Sequence, residues 1–551
     1  MAENRADSKT EARADTLRTI GRVDWRFLLG NGRLGRVVYV GEPSAVHLAG
    51  LYAVSEEVTA ADAETEREPG DAVVVARPTA GELVHAMALL RPGGWIYVET
   101  GYRRRRAETA RFYECLRILQ DGGFVSLQAF WHFPNFESCL EIIPLADPAV
   151  VRLAIDRRQR TLAATAKGLI ARLLLACRLL PRALPSVSLV GRRPGPGEAP
   201  DVPALDWLEK RGGENIFGAH GLHEPSFVLV TPKHETSNNV VFLLNERGTS
   251  EARFVVKVPR LEDSRFGLAH EAAVLRSLAA TDSEGGALVP QVVAYDDREP
   301  PPVLIESAVV GRHIDSHVIR RRKNRYVDAV VAWLETLPTK GLADRASFDR
   351  LVEHPIHAFA TALQAVPEEV TLAHRTLDLV GPLRDARLPL VLEHGDLAHP
   401  NLIWLREGRL GVLDWELAEE SGLPLQDLVF FLMYAASSAK TATEHPARWL
   451  RVFDDAFFRQ GAWAKPLIRR EAERLGIDQS LLTPLFVACW ARYTARVIAR
   501  VEGDPVPHAR AGATVRTAPA APSVAGLIRT DRFHALWVFA TERADRIDWS
   551  H

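Results

Sequence analysis

Short runs of β-branched and apolar residues alternate with helix-like patterns through the first 190 residues of the chain. The runs predict buried strands at 36–40, 57–60, 71–76 and 94–99, and the patterns between them predict helices at 44–53 and 79–90. Strands that alternate with helices pair in parallel through right-handed crossovers. This half is therefore predicted to be an α/β domain with a doubly wound, mainly parallel sheet.

The pattern changes before residue 195. Strand pieces are predicted at 124–127 and 140–144, on either side of the aromatic segment 130–134, and a last strand at 186–190. Segment 191–197 is dense in Gly and Pro, which is typical of a linker. We therefore predict a polar lead-in at 1–19, a domain at 20–195 and a linker at 196–225.

The second half begins with a strand-rich stretch at 227–260, followed by a helix at 268–278 and a strand at 303–305. Beyond these, the patterns are helical except for a loop-rich island at 392–416. The order predicts an α+β arrangement of two lobes, a small β-rich lobe at 226–310 and a large helical lobe at 311–551.

The composition is that of a globular protein and narrows the function classes. Of the 551 residues, 47% are hydrophobic and 25% charged, and 68 basic against 70 acidic residues give a net charge of −2. This balance argues against a globally basic nucleic-acid binder, so no nucleic acid is expected as a partner. The four cysteines form no C-x-x-C pair and indicate neither a disulfide framework nor a zinc site. With a polar N-terminus and no apolar run of about 18 residues, a cytoplasmic protein is expected.

Residues suited to phosphoryl transfer lie in the loop-rich island. The loop 394–401 (HGDLAHPN) is followed by a short strand that ends at Asp414-Trp415-Glu416. Phosphoryl transfer needs a carboxylate that orients and deprotonates the acceptor hydroxyl, and oxygen ligands that hold Mg²⁺ against the phosphates. Asp396 is the candidate for the catalytic role. Asn401 and Asp414 are the candidate metal ligands, since Mg²⁺ prefers hard oxygen donors.

The H-G-D-L-x-x-x-N loop and the later D-W-E resemble the aminoglycoside phosphotransferase and choline kinase family, whose members are distant relatives of protein kinases. Protein kinases carry H-R-D and D-F-G at these places, whereas this chain has Gly395 for the Arg and Trp415-Glu416 for Phe-Gly. The resemblance implies a bilobal protein-kinase-like fold in the C-terminal half. It also implies a small-molecule kinase that uses ATP or GTP with Mg²⁺.

Two upstream residues fit that family. Lys257 lies between valines on a predicted strand and would reach the nucleotide's phosphates, and Glu271 at the start of the next helix would pair with it. The alternative is an ordinary strand lysine and an exposed helix glutamate. The Asp396 loop downstream favours the functional interpretation.

Other family positions carry a weaker signal. The turn that covers the phosphates falls near Ser237 and Asn238 and contains no glycine. Segment 304–308, which includes Glu306 and Ala308, resembles the hinge that binds the nucleotide base through its backbone. Asp427 matches a position that stabilises the catalytic lobe. His394 is expected to brace the backbone of Asp396 rather than act as a base.

The N-terminal half resembles a class I S-adenosylmethionine-dependent methyltransferase over about residues 20–195. The resemblance is carried by the strand-turn-helix at 37–53, by Asp62 at the place of a ribose-binding acid, and by the R-P-G-G turn before the strand at 94–99. Of the glycine-rich turn that lets the backbone approach the cofactor, only Gly41 is present. Gly41 and Asp62 would form a vestigial cofactor site. We expect methyl transfer to be lost and no S-adenosylmethionine to bind.

Two basic segments remain. Lys167, Arg178 and Arg182 fall on one arc of a predicted helix at 167–182 that is otherwise apolar. Such a helix suits either an anionic membrane surface, at the inner face of the membrane, or the space between the two domains. The run 103–106 (RRRR) is interpreted as a solvated helix start rather than a polyanion site.

The sequence thus predicts a nucleotide-dependent phosphotransferase that acts on a hydroxyl of a small molecule. Sugars, aminoglycosides, amino alcohols and glycan intermediates all remain open as acceptors, as does the oligomeric state. Two alternatives are a bifunctional methyltransferase and kinase, and a non-catalytic binding protein built from two degenerate enzyme domains. The acceptor pocket is expected between residues 312 and 389.

Overall fold

The computed structural model describes residues 16–550, apart from residues 18, 31, 42–43, 62–67, 102–109, 157–161, 196–201, 233–236, 262–264, 281–287, 322, 407, 439–445 and 503–523. Asp62 and the run 103–106, both singled out from the sequence, lie outside the described residues.

Four strands near the N-terminus form a parallel run. β1 Leu34–Val40, β2 Ser55–Ala61, β3 Gly70–Ala76 and β4 Leu90–Thr100 pair in the order β2-β1-β3-β4. The helices of this run are α1 Ala45–Val54, α2 Ala80–Ala88 and α3 Phe112–Asp121, and a 3-10 helix, Gly21–Leu29, precedes β1. Ser44 caps α1 by accepting the His47 N–H, and Thr79 forms a capping box with Glu82 at α2. The predicted alternation of strands and helices is confirmed here.

The prediction of a mainly parallel sheet is wrong beyond β4. The next strands are β5 Val125–Phe133, β6 Glu141–Pro144 and β7 Val187–Arg192, and their pairings β4-β7, β7-β5 and β5-β6 are all antiparallel. For β5 and β6 the physical reason is that the connection 134–140 is too short for the crossover that parallel strands need. The aromatic segment 130–134 is largely part of β5.

The small lobe continues the same sheet. Its strands are β8 Pro225–Val230, β9 Asn239–Glu246, β10 Ala252–Pro259, β11 Val292–Asp296 and β12 Val303–Ser307. Helix α9 Arg265–Ala280 lies between β10 and β11 in the chain. β6 pairs with β8 through Glu141↔Val230 and Ile142↔Leu229. The result is one twelve-stranded mixed sheet in the order β11-β12-β10-β9-β8-β6-β5-β7-β4-β3-β1-β2.

The hydrophobic cores follow the period-two alternation of the strands. One core joins Tyr39 and Tyr97 of the parallel run to Phe227 and Phe242 of the small lobe. The other face of the sheet is buried by α2, α3 and α4 Pro148–Asp156. Because one core and one sheet cross from the first half into the small lobe, the two pack as a unit.

Segment 196–225, predicted to be a linker, contains two helices in its described part, α7 Pro203–Gly212 and α8 Ile216–Ala219. Leu205 and Leu208 of α7 and Phe217 of α8 are buried in the core shared with the parallel run. The spacing of these apolar residues, rather than the Gly and Pro before them, determines the structure of this segment.

The basic helix predicted at 167–182 is interrupted. α5 spans Leu162–Ala176 and the short α6 spans Leu180–Ala183. Arg178 is left-handed at φ 57°, and the N–H groups of Arg178 and Leu179 donate to the Leu175 and Leu174 carbonyls, which ends α5. The prediction of one arc on one helix is therefore wrong. No helix in the described part of the chain is long and apolar enough to span a membrane.

The large lobe is helical, as predicted, with two three-stranded sheets at its base. The sheets have the orders β13-β16-β17 and β14-β15-β18, and consist of β13 Arg312–His313, β14 Thr339–Leu342, β15 Pro389–Glu393, β16 Leu402–Trp404, β17 Leu410–Val412 and β18 Glu419–Gly422. Its described helices are α10 Ser316–Arg321, α11 Lys323–Thr336, α12 Arg345–Phe348, α13 His354–Ala362, α14 Pro367–Val380, α15 Gln426–Ser438, α16 Pro446–Phe453, α17 Lys465–Arg474, α18 Leu482–Glu502, α19 Val524–Thr530 and α20 Arg532–Glu542.

Candidate active site

The loop that carries Asp396 begins where β15 ends. Gly395 adopts φ 81°, and a Cβ at this position would collide with the Leu417 carbonyl oxygen. Only glycine combines this backbone conformation with that close approach. The glycine in the H-G-D motif is therefore required by the local fold.

Asp427, in the first turn of α15, fixes the start of this loop. Its Oδ2 accepts the His394 N–H at 2.6 Å and its Oδ1 accepts the Gly395 N–H at 2.9 Å. Burial raises the pKa of Asp427 to about 7, and the nearby Glu393 adds to the rise, whereas the two backbone donors oppose it. The carboxyl group thus positions the loop backbone from inside the lobe.

His394 braces Asp396 from the other side. The Asp396 N–H donates to His394 Nδ1 at 3.2 Å, which leaves Nε2 to donate to the Leu413 carbonyl at 2.8 Å. The ring lies 4.7 Å from that of Trp415. Burial lowers the pKa of His394 to about 4, so the ring is neutral and acts as a spacer rather than a base.

Asn401, from the 3-10 turn His399–Asn401, contacts Asp396 directly. Its Nδ2 donates to the Asp396 carbonyl at 2.9 Å and lies 3.3 Å from Asp396 Oδ2. With the amide nitrogen on Asp396, the amide oxygen points elsewhere and is available to another ligand.

Lys257 reaches from β10 to three carboxylates. Its Nζ lies 2.6 Å from Glu271 Oε1, 3.1 Å from Asp414 Oδ1 and 3.8 Å from Glu306 Oε1. Glu271 also accepts the Trp415 N–H at 2.9 Å. One glutamate of the small lobe thereby holds both the lysine and the segment that carries Asp414.

Burial sets the electrostatics of this group. It lowers the pKa of Lys257, but the carboxylates of Glu271, Asp414 and Glu306 outweigh it and raise that pKa well above its ordinary value. Burial raises the pKa of Glu271 to about 7, with Lys257 opposing the rise. Asp414 itself adopts φ 67°, a strained conformation for a non-glycine residue that is common at functional sites.

A cleft of about 1050 Å³ opens between the lobes at this group. The apolar side chains that line it are Val241, Leu243 and Val255 of the small lobe and Ile403 and Leu413 of the large lobe. Lys257, Glu306, Ala308, Asn401 and Asp414 also line it. A narrow apolar slot with a few convergent polar groups is typical of a site for a planar ligand that carries charge at one end.

Several predicted residues lie differently from the expectation. Glu306 directs its side chain to Lys257, and the Ala308 N–H donates to the Arg253 carbonyl at 2.8 Å rather than into the cleft. Ser237 and Asn238 are not among the described residues that line the cleft. The Asn238 side chain instead accepts the Leu261 N–H at 3.1 Å, which ties the turn to the end of β10.

Sequence reasoning missed a buried ion pair behind that turn. Arg260 Nη1 donates to the Ser237 carbonyl at 3.2 Å, and its Nε donates to Asp24 Oδ1 at 3.0 Å. Asp24 also lies 3.2 Å from Arg26. No local signal could reveal a contact between residues this far apart in sequence.

A second missed group supports the Asp396 loop. Arg496 donates to the Gly395 carbonyl at 2.7 Å and to Glu393 at 2.8 Å, and Arg492 donates to Glu393 at 2.9 Å. Two arginines at i and i+4 on the apolar helix α18 could have been noticed in the sequence, because buried arginines need partners.

The vestigial cofactor site predicted in the first half is only partly described, through Gly41. Gly41 ends β1 at φ 103°. Near the carboxyl end of β4, Arg22 pairs with Glu99 at 2.7 Å, and Trp25 stacks on Tyr97 at 3.8 Å. Side chains of the protein itself thus fill this face of the sheet.

Comparison with known proteins places the second half in a class. Residues 229–468, less than half of the chain, match the model of the phosphotransferase enzyme family. The match spans Lys257, Glu271, Asp396, Asn401 and Asp414, and it agrees with the prediction of a phosphotransferase. No curated protein was found to match the chain.

Solved structures with some likeness include three small-molecule kinases. Aminoglycoside phosphotransferase APH(3'')-Id from Streptomyces rimosus ATCC10970 is 18% identical at a TM-score of 0.34, over 54% of this chain and 98% of that one. The GDP and kanamycin complex of APH(2'')-IIia is 12% identical with a TM-score of 0.36, and the likeness covers 62% of this chain and 97% of that one. Plasmodium vivax ethanolamine kinase is 11% identical with a TM-score of 0.33, and the likeness covers 56% of this chain and 91% of that one. These TM-scores are too low to support a conclusion about this chain.

Proposed function

We propose that this protein transfers a phosphoryl group from a nucleotide to a hydroxyl of a small molecule such as a sugar, an aminoglycoside, an amino alcohol or a glycan intermediate. The observation that carries the proposal is that Lys257 contacts Glu271 within the small lobe at 2.6 Å and Asp414 of the large lobe at 3.1 Å, beside the Asp396–Asn401 pair. A buried ammonium held by three carboxylates in a cleft favours a functional site over a non-catalytic binding protein.

The donor site is the apolar slot and Lys257. Val255 above and Leu413 below would enclose the base of ATP or GTP, while Lys257 would contact the phosphates. In the proposed complex Lys257 keeps Glu271 as its partner. This ion pair fixes the ammonium where the phosphates would lie.

The residues present fit a magnesium ion. Asn401 offers an amide oxygen and Asp414 a carboxylate, and both line the cleft. The described residues contain no cluster of three or more His, Cys, Asp or Glu that could hold a metal alone. Mg²⁺ is commonly held by one or two protein oxygens together with the substrate phosphates, and Asn401 and Asp414 would supply two. The ion would supply neutralisation of the charge that develops on the transferred group.

Asp396 would orient the acceptor hydroxyl and take its proton. The loop around it is held by Asp427, His394 and Arg496, so its position does not depend on the acceptor. Holding the carboxylate in place before the acceptor binds lowers the entropy that must be lost in the transition state.

The test is phosphorylation of a panel of hydroxyl acceptors with ATP or GTP and Mg²⁺, followed as nucleoside diphosphate release. Asp396→Asn should abolish transfer and keep nucleotide affinity, and Asp121→Asn, an exposed aspartate on α3, should change neither. Unchanged turnover in Asp396→Asn would refute the role of Asp396.

For the N-terminal half we propose a degenerate methyltransferase-like domain that no longer binds S-adenosylmethionine. The parallel run β2-β1-β3-β4 supports the likeness, and the Arg22–Glu99 and Trp25–Tyr97 contacts support the loss. Calorimetric titration with S-adenosylmethionine should give no heat of binding. Micromolar binding would support the bifunctional alternative.

We further propose that α5 meets an anionic membrane surface. Leu169, Ile170 and Leu173 are 58, 60 and 65% exposed. Residues 162–183 include one lysine and three arginines but no acidic residue, which complements an anionic surface. The triple change of these apolar residues to Gln should abolish flotation with anionic vesicles, whereas Val84→Gln, an equally exposed control at 57%, should not. Equal flotation of both variants, or none by the wild type, would exclude this surface.

A further inference from the structure

The N-terminal half contributes a helix to the phosphotransferase cleft. Ala149, Arg152, Leu153 and Asp156 of α4 line the same cavity as Lys257 and Asp414. Their spacing of three, one and three residues places them on one face of a helix. The other face is buried in the core of the N-terminal sheet and consists of Val150, Val151, Ala154 and Ile155. The position of α4 is therefore fixed by the core behind it.

A second contact ties α4 to the small lobe. Asp147, immediately before the helix, accepts the Ala149 N–H at 3.1 Å through Oδ1 and lies 3.4 Å from Asn245 Nδ2 through Oδ2. Both Asp147 and Asn245 are buried. Together with the pairing of β6 and β8, this contact holds α4 against the small-lobe strands that roof the cleft.

The charges of the cleft leave one cation without a counter-ion. Lys257 is shared by Glu271, Asp414 and Glu306, and Asp156 accepts two bonds from Arg172 of α5, at 2.6 and 2.9 Å. Arg152 is exposed and has no ion-pair or hydrogen-bond partner among the residues that the structure describes. Arg152 thus presents its positive charge to a cavity whose other lining charges are Lys257 and the carboxylates of Asp156, Glu251, Glu306 and Asp414.

We propose that Arg152 binds an anionic group of a ligand in this cleft, so that the N-terminal half is a functional part of the phosphotransferase site. This inference rests on the proposed function. The anionic group is either a phosphate of the donor nucleotide or an acidic group on the acceptor, since a guanidinium recognises phosphate and carboxylate alike. Leu153, beside it on the same face, would contact the uncharged part of that ligand.

The test compares the wild type with Arg152→Ala, Arg152→Lys and the control Arg117→Ala, which removes an exposed arginine of α3 outside the cleft. Titration calorimetry with ADP and Mg²⁺, and separately with adenosine, measures nucleotide binding in the full-length protein. KM and kcat are then measured for every accepted hydroxyl compound, with and without an acidic group.

If Arg152 binds the nucleotide, Arg152→Ala should weaken ADP about tenfold and leave adenosine unchanged. If it binds the acceptor, ADP affinity should stay the same while KM for acidic acceptors rises about tenfold at constant kcat. Arg152→Lys should recover part of either loss, because it restores the charge without the planar fork.

Unchanged ADP affinity together with unchanged KM for every acceptor would overturn the inference and leave the proposed function standing. Loss of activity in Arg117→Ala equal to that in Arg152→Ala would overturn it as well. A wild type that binds no nucleotide would refute the proposed function, and the role of Arg152 with it.

Discussion

Replacing Asp24 by Asn removes the carboxylate from a buried group that joins the N-terminal half to the nucleotide cleft. Asp24, Arg26 and Arg260 are 2, 1 and 6% exposed, and Asp24 Oδ1 lies 3.2 and 3.0 Å from the two guanidinium groups. Burial lowers the pKa of Arg26 to about 10, and Asp24 opposes that shift. The Asn variant leaves two buried cations with only neutral acceptors, the Asn amide oxygen and backbone carbonyls.

The expected magnitude follows from this burial. Removing one partner of a buried ion pair costs roughly 3–5 kcal/mol, because the remaining charge stays desolvated and uncompensated. The Asp206–Lys210 pair on α7, at 2.8 Å and largely exposed, is the matched control. Asp206→Asn should cost less than about 1 kcal/mol, since exposed pairs are screened by water.

The loss should also reach the cleft. Arg260 donates to the Ser237 carbonyl, so a displaced Arg260 frees the turn that would cover the phosphates. Urea unfolding measures the stability of both variants, and calorimetry measures the affinity for ADP with Mg²⁺. Equal unfolding free energies for the two variants, within about 0.5 kcal/mol, would refute the reasoning that the Asp24 group is effectively desolvated.

Three further predictions concern the loop, the lysine and the pH. Gly395→Ala should destabilise the protein and abolish transfer. Gly408→Ala has nearly the same φ, but its Cβ would meet only Trp404 Cζ2 at 4.0 Å, so it should cost only about 1 kcal/mol; equal unfolding free energies would contradict the clash. Lys257→Met should raise the pKa of Glu271 further above about 7 and weaken ADP at least tenfold, and the exposed Lys210→Met serves as its control in the same titration. Burial lowers the pKa of His47, His132, His394 and His399 to about 4, 3, 4 and 4, so these groups favour folding above pH 6.5 and lose that contribution as the pH falls. Glu271 and Asp427, whose pKa burial raises to about 7, act in the opposite direction, as do Glu306 and Asp531, whose pKa burial also raises. A single buried histidine contributes roughly 1.4 kcal/mol per pH unit between pH 6.5 and 4.5, so His132→Gln should flatten the urea-denaturation profile by about that slope, and an unchanged slope would be incompatible with a neutral buried His132.

The order of elements along the chain could be predicted from local pattern. Strands of the parallel run, the β-rich small lobe and the helical large lobe follow from apolar periodicity, because each segment must bury the face that its own side chains define. The prediction failed where pairing depends on distant partners. Strand β7 inserts between β4 and β5, and β6 continues into β8, and neither contact has a local signature.

The same division applies to the candidate site. The residue types that phosphoryl transfer requires form a recognisable sequence motif around Asp396 and Asp414. Lys257 could be identified because it is a charged residue within a predicted buried strand. The residues that hold these side chains and loops in place could not be predicted from the sequence. Arg260 pairs with Asp24, and Arg496 donates to the Gly395 carbonyl, only because the fold brings together residues that are far apart in sequence.

The sequence by itself predicted the chemistry of this protein, since an H-G-D loop, a later D-W-E and a lysine on a buried strand together favour phosphoryl transfer. Only the tertiary structure decided that the first half and the small lobe form one continuous sheet, and that a helix of the first half faces the cleft. The physical reason is that hydrogen bonding between strands depends on backbone geometry and on which edges meet, neither of which side-chain pattern encodes.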